Sequence, residues 1–501
     1  MRNCIFTIVV SLTAGCVLAD NVSAPFAMTA EIQTALSHIG ADSLRGDLSF
    51  LASDLLEGRD TPSRGLDVAS EYIAAQFRLA GLEPGGDDGY FQTAHLNLVS
   101  PGAPGLMLSL SDGKKVFTPK PAEAFVRATG SVELKHVPLF KLDAGDSEQV
   151  GKLTAADIAG KVVILEFDAK RAKNLRAAGA KVREAKPALT ILVDAKGATV
   201  DRAPQRRLVD PELVRTAPPQ MTLTGKAAAS FFASLKPGFT GGVVSVHRDA
   251  PEQKPATMRN VVAILRGSDP QLRDTCVLLT AHYDHLGVRR DRSGEHIYNG
   301  ANDDGSGTVS VLEVARALAG LNPRPRRSIV FVTFFGEEEG LVGSRFYARH
   351  PAWPLDKTVA QLNLEQVGRT DSTEGKQISN ATLTGFDFSS LTEFVSRAGE
   401  LTGIKVYKNA RNSDAYFADS DNVSLAEAGV PAETLCVAFN FADYHRPGDK
   451  WEKIDFDNMA KVDRAVALSL VMLADSGPTP EWNATNPKTA PYVKAWREHH
   501  P

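Results

Sequence analysis

The spacing of apolar residues along the chain predicts alternating helices and strands. Over residues 41–83, apolar side chains recur every three or four positions, which is the period of helices with one buried face. From residue 260 onward, short apolar runs alternate with helical patterns such as the one over 308–318. The runs that we expect to form strands are VVAILRG, TCVLLTA, SIVFVTFF and VAQLNLE. This alternation is typical of parallel strands joined by crossover helices, so we predict an α/β fold with a mostly parallel mixed sheet flanked by helices.

The stretch from 118 to 256 has a different pattern and predicts a β-rich domain inserted into the first one. It contains two short apolar runs that we expect to be buried strands, KVVILEF and LTILVDA. The tail after Ser476 is rich in Pro and Asn, and we expect it to be irregular. The predicted organisation is a signal peptide at 1–19, a discontinuous main domain at 20–117 and 257–480, an inserted domain at 118–256 and a C-terminal tail at 481–501.

The amino terminus is typical of a secretory signal. Arg2 precedes the uncharged stretch Cys4–Ala19, which is too short to span a membrane. We expect cleavage after Ala19; the alternative is lipid attachment at Cys16, since LTAGC partly resembles a bacterial lipobox. We find no other stretch of membrane-spanning length. We therefore predict an exported protein, periplasmic or extracellular, without a transmembrane segment.

Length, charge and cysteine content indicate the number of domains, the partners that are disfavoured and the state of the cysteines. At 501 residues the chain is long enough for two or three domains. Its formal net charge of −4 and its lack of a basic cluster argue against nucleic acid or an anionic membrane surface as a partner. Beyond the signal, the cysteines are Cys276 and Cys436, both in apolar runs. We expect two buried free thiols, with a disulfide between them as the alternative.

Histidine and acidic residues collect where the predicted strands end and in the loops that follow them. They are His282, Asp284, Asp303, Asp304, Glu337, Glu338, Glu339, Glu365 and His445. Because the carboxyl ends of parallel strands line one crevice, we expect these side chains to meet there. Imidazoles and carboxylates without a thiolate are ligands for hard or borderline divalent metals. The sequence therefore predicts a metal site at this edge of the sheet.

The local context of each histidine bears on its expected role. Asp284 lies two positions after His282, so on an extended backbone it can accept a hydrogen bond from the imidazole and orient it. His285 and His296 lack such a partner, and we expect both to face solvent.

The two acidic motifs have ordinary structural interpretations as well. Asp303 and Asp304 lie in GANDDGSG, which also fits a turn that caps the following helix. One carboxylate can serve as the cap while the other bridges two metals. The run 337–339 would ordinarily be a solvated face, but it follows an apolar strand directly and so reaches the crevice. There, one glutamate can bind metal while its neighbour accepts a proton.

Five short motifs carry most of these residues: AHYDH, GANDDGSG, FFGEEEGLVGS, LNLEQVGR and DYHRPGDKWEKID. Together they resemble the co-catalytic di-zinc aminopeptidases, a family that also includes glutamate carboxypeptidases and, more distantly, glutaminyl cyclases. The resemblance covers roughly residues 40–110 and 258–475, including LASDLLEGRD and GLEPGG. The segment with DIAGKVVILEF and AAGAKV resembles a protease-associated domain. The resemblance implies a zinc-exopeptidase-like fold with an inserted β-rich protease-associated domain.

The resemblance also implies two zinc ions per chain, held by five side chains. The ligands would be His282 and Glu365 for one ion, Glu338 and His445 for the other, and Asp303 for both. Glu337 would be the general base for a water molecule between the metals. Asp284 would orient the imidazole of His282. Tyr444 would stabilise the oxyanion, with Tyr416 as the alternative.

Two positions depart from the family's pattern. Glu365 stands where most such aminopeptidases have Asp, and the longer side chain can alter metal affinity. Asn422 stands where His is common, and that change touches the pocket wall and so affects specificity. The sequence favours zinc but leaves cobalt and manganese open.

The function implied is an exported metalloaminopeptidase that hydrolyses the first peptide bond of peptide substrates. Alternatives on the same scaffold are a carboxypeptidase, for which Arg411 would have to face the pocket, and a glutaminyl cyclase, usually with a single zinc. A non-catalytic binding module is a further alternative, although such relatives lose metal ligands and this chain has a candidate at each position. The oligomeric state stays open.

Overall fold

The computed structural model of the protein describes residues 26–100, 104–120, 123–167, 172–194, 196, 206–214, 218–289 and 296–500. The predicted signal peptide at 1–19 and the lipid-attachment residue Cys16 lie outside these residues. Among the helices that are described, none combines the length and the apolar character needed to cross a membrane.

The strands of the described residues are, in chain order, β1 (Glu83–Pro84), β2 (Phe91–Val99), β3 (Met107–Ser111), β4 (Val116–Phe117), β5 (Ala124–Arg127), β6 (Val132–Asp143), β7 (Val162–Phe167), β8 (Leu189–Asp194), β9 (Arg207–Val209), β10 (Gln220–Leu223), β11 (Gly238–Arg248), β12 (Gln253–Leu265), β13 (Cys276–His282), β14 (Gly287–Val288), β15 (Ile297–Tyr298), β16 (Ser328–Phe334), β17 (Thr358–Leu364), β18 (Asp371–Ser372), β19 (Gly375–Lys376), β20 (Asn380–Leu383), β21 (Lys405–Tyr407) and β22 (Ala432–Cys436). The α-helices are α1 (Ala30–Ser37), α2 (Ala41–Leu51), α3 (Arg64–Leu79), α4 (Ser147–Lys152), α5 (Ala155–Ile158), α6 (Ala172–Glu184), α7 (Pro211–Val214), α8 (Lys226–Ala233), α9 (Gly307–Ala319), α10 (Val342–Arg349), α11 (Leu391–Thr402), α12 (Asn422–Glu427), α13 (Phe456–Asp475) and α14 (Ala490–His499).

The main sheet has ten strands in the order β21-β20-β22-β17-β13-β16-β12-β2-β9, with β1 paired to β12. Its central strands β22, β17, β13 and β16 run parallel. On one side β12 and β2 continue the sheet in antiparallel fashion, and on the other side β20 joins β22 antiparallel. The predicted α/β fold with a mixed, helix-flanked sheet is confirmed, with a parallel centre between antiparallel flanks.

The central strands are buried along almost their whole length because both faces of the sheet are covered. Along β13, Val277 and Leu279 lie in a core that also includes residues of α9 and α13. Leu278, between them, points to the opposite face and packs in a second core with Tyr347 of α10 and Leu425 of α12. Strands buried on both faces give continuous apolar runs in the sequence, and TCVLLTA is such a run.

A second sheet of eight strands lies within residues 107–248, in the order β4-β3-β11-β6-β7-β8-β10-β5. The two runs predicted as its buried strands are β7 and β8. The sheet also takes in β3 and β4, which precede residue 118, whereas β9 pairs with β2 of the main sheet. The division of the chain into domains at 118 and 256 stays a prediction.

The C-terminal tail contains a helix that the sequence did not predict, and the two cysteines are unpaired as expected. The tail was expected to be irregular, but it forms α14, because Tyr492 and Trp496 give that segment an apolar side that packs against the core containing the buried Trp482. Cys276 and Cys436 are both buried and free, so the disulfide alternative does not apply.

Glu433 is a buried carboxyl group of the sheet that lies on β22. Its side chain is fully buried and accepts hydrogen bonds from the hydroxyl groups of Ser389 (2.7 Å) and Thr392 (2.8 Å). Burial raises the pKa of Glu433 to about 8, although the two hydroxyl groups oppose this shift. Between about pH 4.5 and pH 8, the Glu433 carboxyl group is therefore protonated in the folded protein and ionised in the unfolded chain.

This proton should make stability fall as pH rises through that window. Glu433→Gln imitates the protonated carboxyl group and does not titrate. The free energy of unfolding of the variant minus that of the wild type should therefore increase by about 2–4 kcal/mol from pH 5 to pH 8. Urea unfolding followed by circular dichroism at several pH values measures this difference. The exposed Glu427→Gln serves as the control and should show a constant difference. A constant difference for Glu433→Gln as well would contradict the raised pKa.

Candidate functional site

Three neighbouring strand ends carry the first group of predicted site residues. β13 lies between β16 and β17 in the sheet and ends at His282. β16 ends at Phe334, and the chain turns into the crevice to reach Glu337. β17 ends at Leu364, directly before Glu365. Because the three strands are parallel and adjacent, these side chains arrive at one edge of the sheet, as the sequence predicts.

Asp303 enters the site from an irregular turn before α9. The carboxylate of Asp449, which is fully buried, accepts hydrogen bonds from the backbone N–H of Asn302 (3.0 Å) and of Asp303 (3.1 Å). The side-chain oxygen of Asn302 in turn accepts from the backbone N–H of Gly368 (2.9 Å) and Arg369 (2.8 Å). These bonds fix the backbone, so that the Asp303 side chain is free to face the crevice.

Asp304 fills the structural role that its motif also allowed. One carboxylate oxygen accepts hydrogen bonds from the backbone N–H of Gly307, at the first residue of α9 (3.0 Å), and of Gln366 (3.1 Å). It therefore caps the helix and ties it to the loop after β17. The two neighbouring aspartates thus divide the roles, one as a cap and one in the site.

The first ligand group contains His282, Asp303 and Glu365. One donor atom from each lies within 4.8 Å of the other two. Nε2 of His282 is 3.4 Å from Oδ1 of Asp303. Both His282 and Asp303 are buried, so the group lies below the protein surface.

The second ligand group contains His285, Asp303 and Glu338, with donor atoms again within 4.8 Å of one another. Nδ1 of His285 lies 2.8 Å from Oε1 of Glu338. His445 also reaches this group, because its Nε2 is 3.0 Å from Oδ2 of Asp303 and 3.3 Å from Oε1 of Glu338. Asp303 is therefore common to both groups, as the resemblance implies for a bridging ligand.

The expectation that His285 faces solvent is wrong. Its side chain is 1% exposed, because the backbone at Gly300 packs against the imidazole and the ring of His445 lies edge-on to it, with centroids 5.7 Å apart. The sequence around it indicated no interacting residue, and the carboxylate that lies 2.8 Å from its Nδ1 belongs to Glu338, more than fifty positions away. His296, expected to be solvent-facing as well, is partly buried.

Asp284 contacts three groups at once. Oδ1 lies 3.4 Å from Nδ1 of His282 and accepts a hydrogen bond from the backbone N–H of Glu337 (3.1 Å). Oδ2 accepts from the hydroxyl group of Thr61 (3.1 Å). Asp284 therefore links the orientation of the His282 ring to the position of Glu337.

Arg59 is a buried residue of the site that the spacing of the motifs did not single out. Its guanidinium donates hydrogen bonds to the backbone carbonyls of Leu51 (2.5 Å), Tyr283 (2.7 Å), Asn299 (2.7 Å) and Gly300 (2.9 Å). It thereby joins the chain just after His282 to the loop just before Asp303. The motif LASDLLEGRD contained this arginine, but only the tertiary contacts reveal its role.

The other predicted residues have distinct positions. The ring of Tyr444 stacks on that of His445, with centroids 4.0 Å apart. The alternative, Tyr416, is partly buried and stacks on Phe439. Arg411 is exposed.

Asn422 does not form an exposed pocket wall. It is fully buried, and both ends of its amide are hydrogen-bonded, to the carbonyl of Phe417 and to the hydroxyl of Thr434.

The charges in the crevice strongly affect one another. Although burial alone would raise the pKa of Asp303, the imidazoles of His282 and His445 hold it well below its usual range. Burial raises the pKa of Glu337 well above its usual value, and the neighbouring carboxylates of Glu338 and Glu365 add to this shift. Glu337 therefore holds a proton far more readily than an exposed glutamate does.

The donor atoms fit a metal ion. Among the described residues, the buried atoms without a hydrogen-bond partner include Nε2 of His282, Oδ2 of Asp303 and Oε1 of Glu338. Buried polar atoms normally have a partner, so a group of them facing one crevice indicates that a cation satisfies them. Imidazole nitrogens and carboxylate oxygens are the donors of catalytic zinc sites.

Comparisons with known proteins show which proteins the chain resembles. Residues 260–470 match the model of Peptidase family M28, which confirms the predicted resemblance. The sequence is similar to a "Probable zinc metalloprotease" from Pyrenophora tritici-repentis, with 28% identity over 264 residues, which cover 45% of this chain and 53% of the relative. It is also similar to "Leucine aminopeptidase 1" from the same organism, with 31% identity over 185 residues, which cover 34% of this chain and 46% of the relative. The chain thus spans about half the length of the curated relatives it matches.

A solved structure extends the fold comparison to most of the chain. The aminopeptidase from Aneurinibacillus sp. strain AM-1 aligns with a TM-score of 0.54 and 20% sequence identity, covering 89% of this chain and 97% of that one. At this level of identity the similarity shows a shared fold.

Proposed function

We propose that the chain is an exported zinc aminopeptidase that hydrolyses the first peptide bond of peptides. The observation that carries this proposal is the pair of buried ligand groups that share Asp303, with Glu337 beside them. The family match of residues 260–470 and the names of the relatives support the same class of reaction. Export rests on the sequence of 1–19, with lipid attachment at Cys16 as the alternative.

Two zinc ions would bind to five side chains in the crevice. The first would take His282, Asp303 and Glu365, and the second Asp303, Glu338 and His445. His285, at 2.8 Å from Glu338, would orient that carboxylate. Zinc bound here would polarise the scissile carbonyl group and make water easier to deprotonate.

Glu337 would act as the general base. Its Oε2 lies 3.9 Å from Nε2 of His282, and its backbone is held by the carboxylate of Asp284. Its raised pKa suits a group that takes a proton from the attacking water and returns it to the leaving amine. In that step the carbon–oxygen bond to water forms, the peptide carbon–nitrogen bond breaks, and the proton ends on the amine.

Tyr444 is suited to stabilise the oxygen of the scissile carbonyl. Its partial burial and the nearby carboxylates of Asp303 and Glu365 raise the pKa of its phenol. The phenol therefore stays protonated and can donate a hydrogen bond to a developing oxyanion.

The positions of two arginines favour an aminopeptidase over a carboxypeptidase, which would need an arginine facing the crevice to bind the substrate's carboxyl group. Arg59 is instead bound to four backbone carbonyls, and the side chain of Arg411 is exposed.

Replacing Glu337 by Gln tests the proposed base. The variant should keep both metal ions and lose turnover of an aminoacyl substrate by a factor of at least about 100, because no group remains to accept the proton. Metal content by mass spectrometry and steady-state kinetics measure the two effects. Glu339→Gln, at the next position but one, is the matched control and should keep most of its turnover. High turnover in a fully loaded Glu337→Gln would contradict the assignment.

Replacing the two histidines of the second group separates a ligand from an orienting residue. His445→Ala should leave one zinc per chain after dialysis against a weak chelator, because it removes a ligand. His285→Ala should keep two ions but bind the second about tenfold more weakly, the effect of losing a group that orients a ligand. Loss of one ion in His285→Ala with both retained in His445→Ala would exchange the two roles.

A further inference from the structure

A segment of the inserted region docks on the main sheet close to the candidate active site. Residues 206–214, which we call the docking segment, lie between β8 and β10 of the second sheet. Its strand β9 nevertheless pairs with β2, and Leu208 is buried in the main core. Asp210 accepts a hydrogen bond from the guanidinium of Arg349 at 2.6 Å. The segment is therefore part of the main domain's structure although its flanking strands are not.

Arg206, at the start of the docking segment, reaches the loop that follows Arg59. Its Nη2 lies 2.5 Å from Oδ2 of Asp60 and donates to the carbonyl of Pro62 at 3.3 Å. Burial raises the pKa of Asp60, and the Arg206 guanidinium opposes part of this shift. The guanidinium of Arg206 is thus hydrogen-bonded to both ends of the turn 60–62.

The turn 60–62 leads directly to the predicted site residues. Thr61, which is 2% exposed, donates its hydroxyl hydrogen bond to Asp284 at 3.1 Å. The other oxygen of Asp284 contacts the ring of His282 and the backbone N–H of Glu337. A continuous set of contacts therefore joins the inserted region to a metal ligand and to the proposed base.

We propose that Arg206 is a positioning residue for the reaction: it holds the turn 60–62 so that Thr61 fixes the carboxylate of Asp284. Through Asp284 it sets the orientation of His282 and the position of Glu337. This inference rests on the proposed function. It means that a residue of the inserted region helps to position the active site. Arg206 acts through its neighbours and does not contact the substrate.

Arg206→Gln in the full-length protein tests this role. We expect kcat to fall about three- to tenfold with KM unchanged, and zinc affinity to fall by a similar factor, less than for a direct partner of a ligand. Arg206→Lys should recover part of the loss because it keeps the charge. Arg266→Gln is the matched control, since this arginine pairs with Glu83 at 3.0 Å and has a similarly exposed side chain, 38% against 45%.

Two further variants test the route through the turn. Asp60→Asn and Thr61→Val should each reproduce the loss of kcat and zinc affinity. Combining either with Arg206→Gln should add little, because the residues act as one unit. Additive losses would show that Arg206 does not act through the turn and would overturn the proposal.

The readouts separate positioning from other roles and from failure of the proposed function. A rise in KM at constant kcat would mean that Arg206 contacts substrate. A lower unfolding temperature with unchanged kcat and zinc affinity would mean that it only anchors the inserted region. Either result overturns the proposal. A wild type that binds zinc but cleaves no peptide would contradict the aminopeptidase function, while the zinc affinities would still decide the role of Arg206.

Discussion

The crowding of carboxylates in one buried crevice is the constraint on which the rest of the structure depends. They are Asp303, Asp304, Glu337, Glu338 and Glu365. Like charges this close repel strongly in a low-dielectric interior, so each needs a compensating partner. Asp304 receives two backbone N–H groups, and Asp303 and Glu338 lie against imidazoles. Metal ions would supply the remaining positive charge, and the unpartnered donor atoms indicate where.

The fold brings these groups together by two independent means. The parallel centre of the sheet delivers His282, Glu337 and Glu365 to one edge, where neighbouring strand ends set their separation. The loops are then held by buried polar groups: Asp449 binds the backbone before Asp303, and Arg59 joins that loop to the end of β13. Because the loops are held by several bonds each, the candidate ligands stay close even though each group comes from segments distant in the chain.

The sequence was sufficient for the parts of this arrangement that follow from local pattern. The apolar runs predict the central strands, and strand ends bearing His282 or Glu365 predict a crevice lined by ligands. The burial of His285 could not be predicted, because it depends on the turn at Gly300 packing against the ring and on Glu338, which is far along the chain. The roles of Arg59 and Arg206 are likewise set by tertiary contacts, which leave no periodic signal in the sequence.

The C-terminal tail and the second sheet also show features that local sequence pattern does not predict because they depend on tertiary contacts. Proline and asparagine in the tail suggested loop, yet Tyr492 and Trp496 bury an apolar side against the core and so stabilise a helix. In the region predicted to be inserted, the change in sequence pattern indicated a second sheet but gave no sign that β9 pairs with the main one. The three-residue strand β9 carries too little pattern of its own to predict that it pairs with β2.

The most direct test of the account is to incubate the purified mature protein with a defined mixture of peptides, with and without a metal chelator, and to identify the products by mass spectrometry. The account predicts stepwise loss of N-terminal residues that the chelator abolishes and that added zinc restores. Loss from the C-terminus, ring closure of N-terminal glutamine, or intact peptides in the presence of zinc would contradict it.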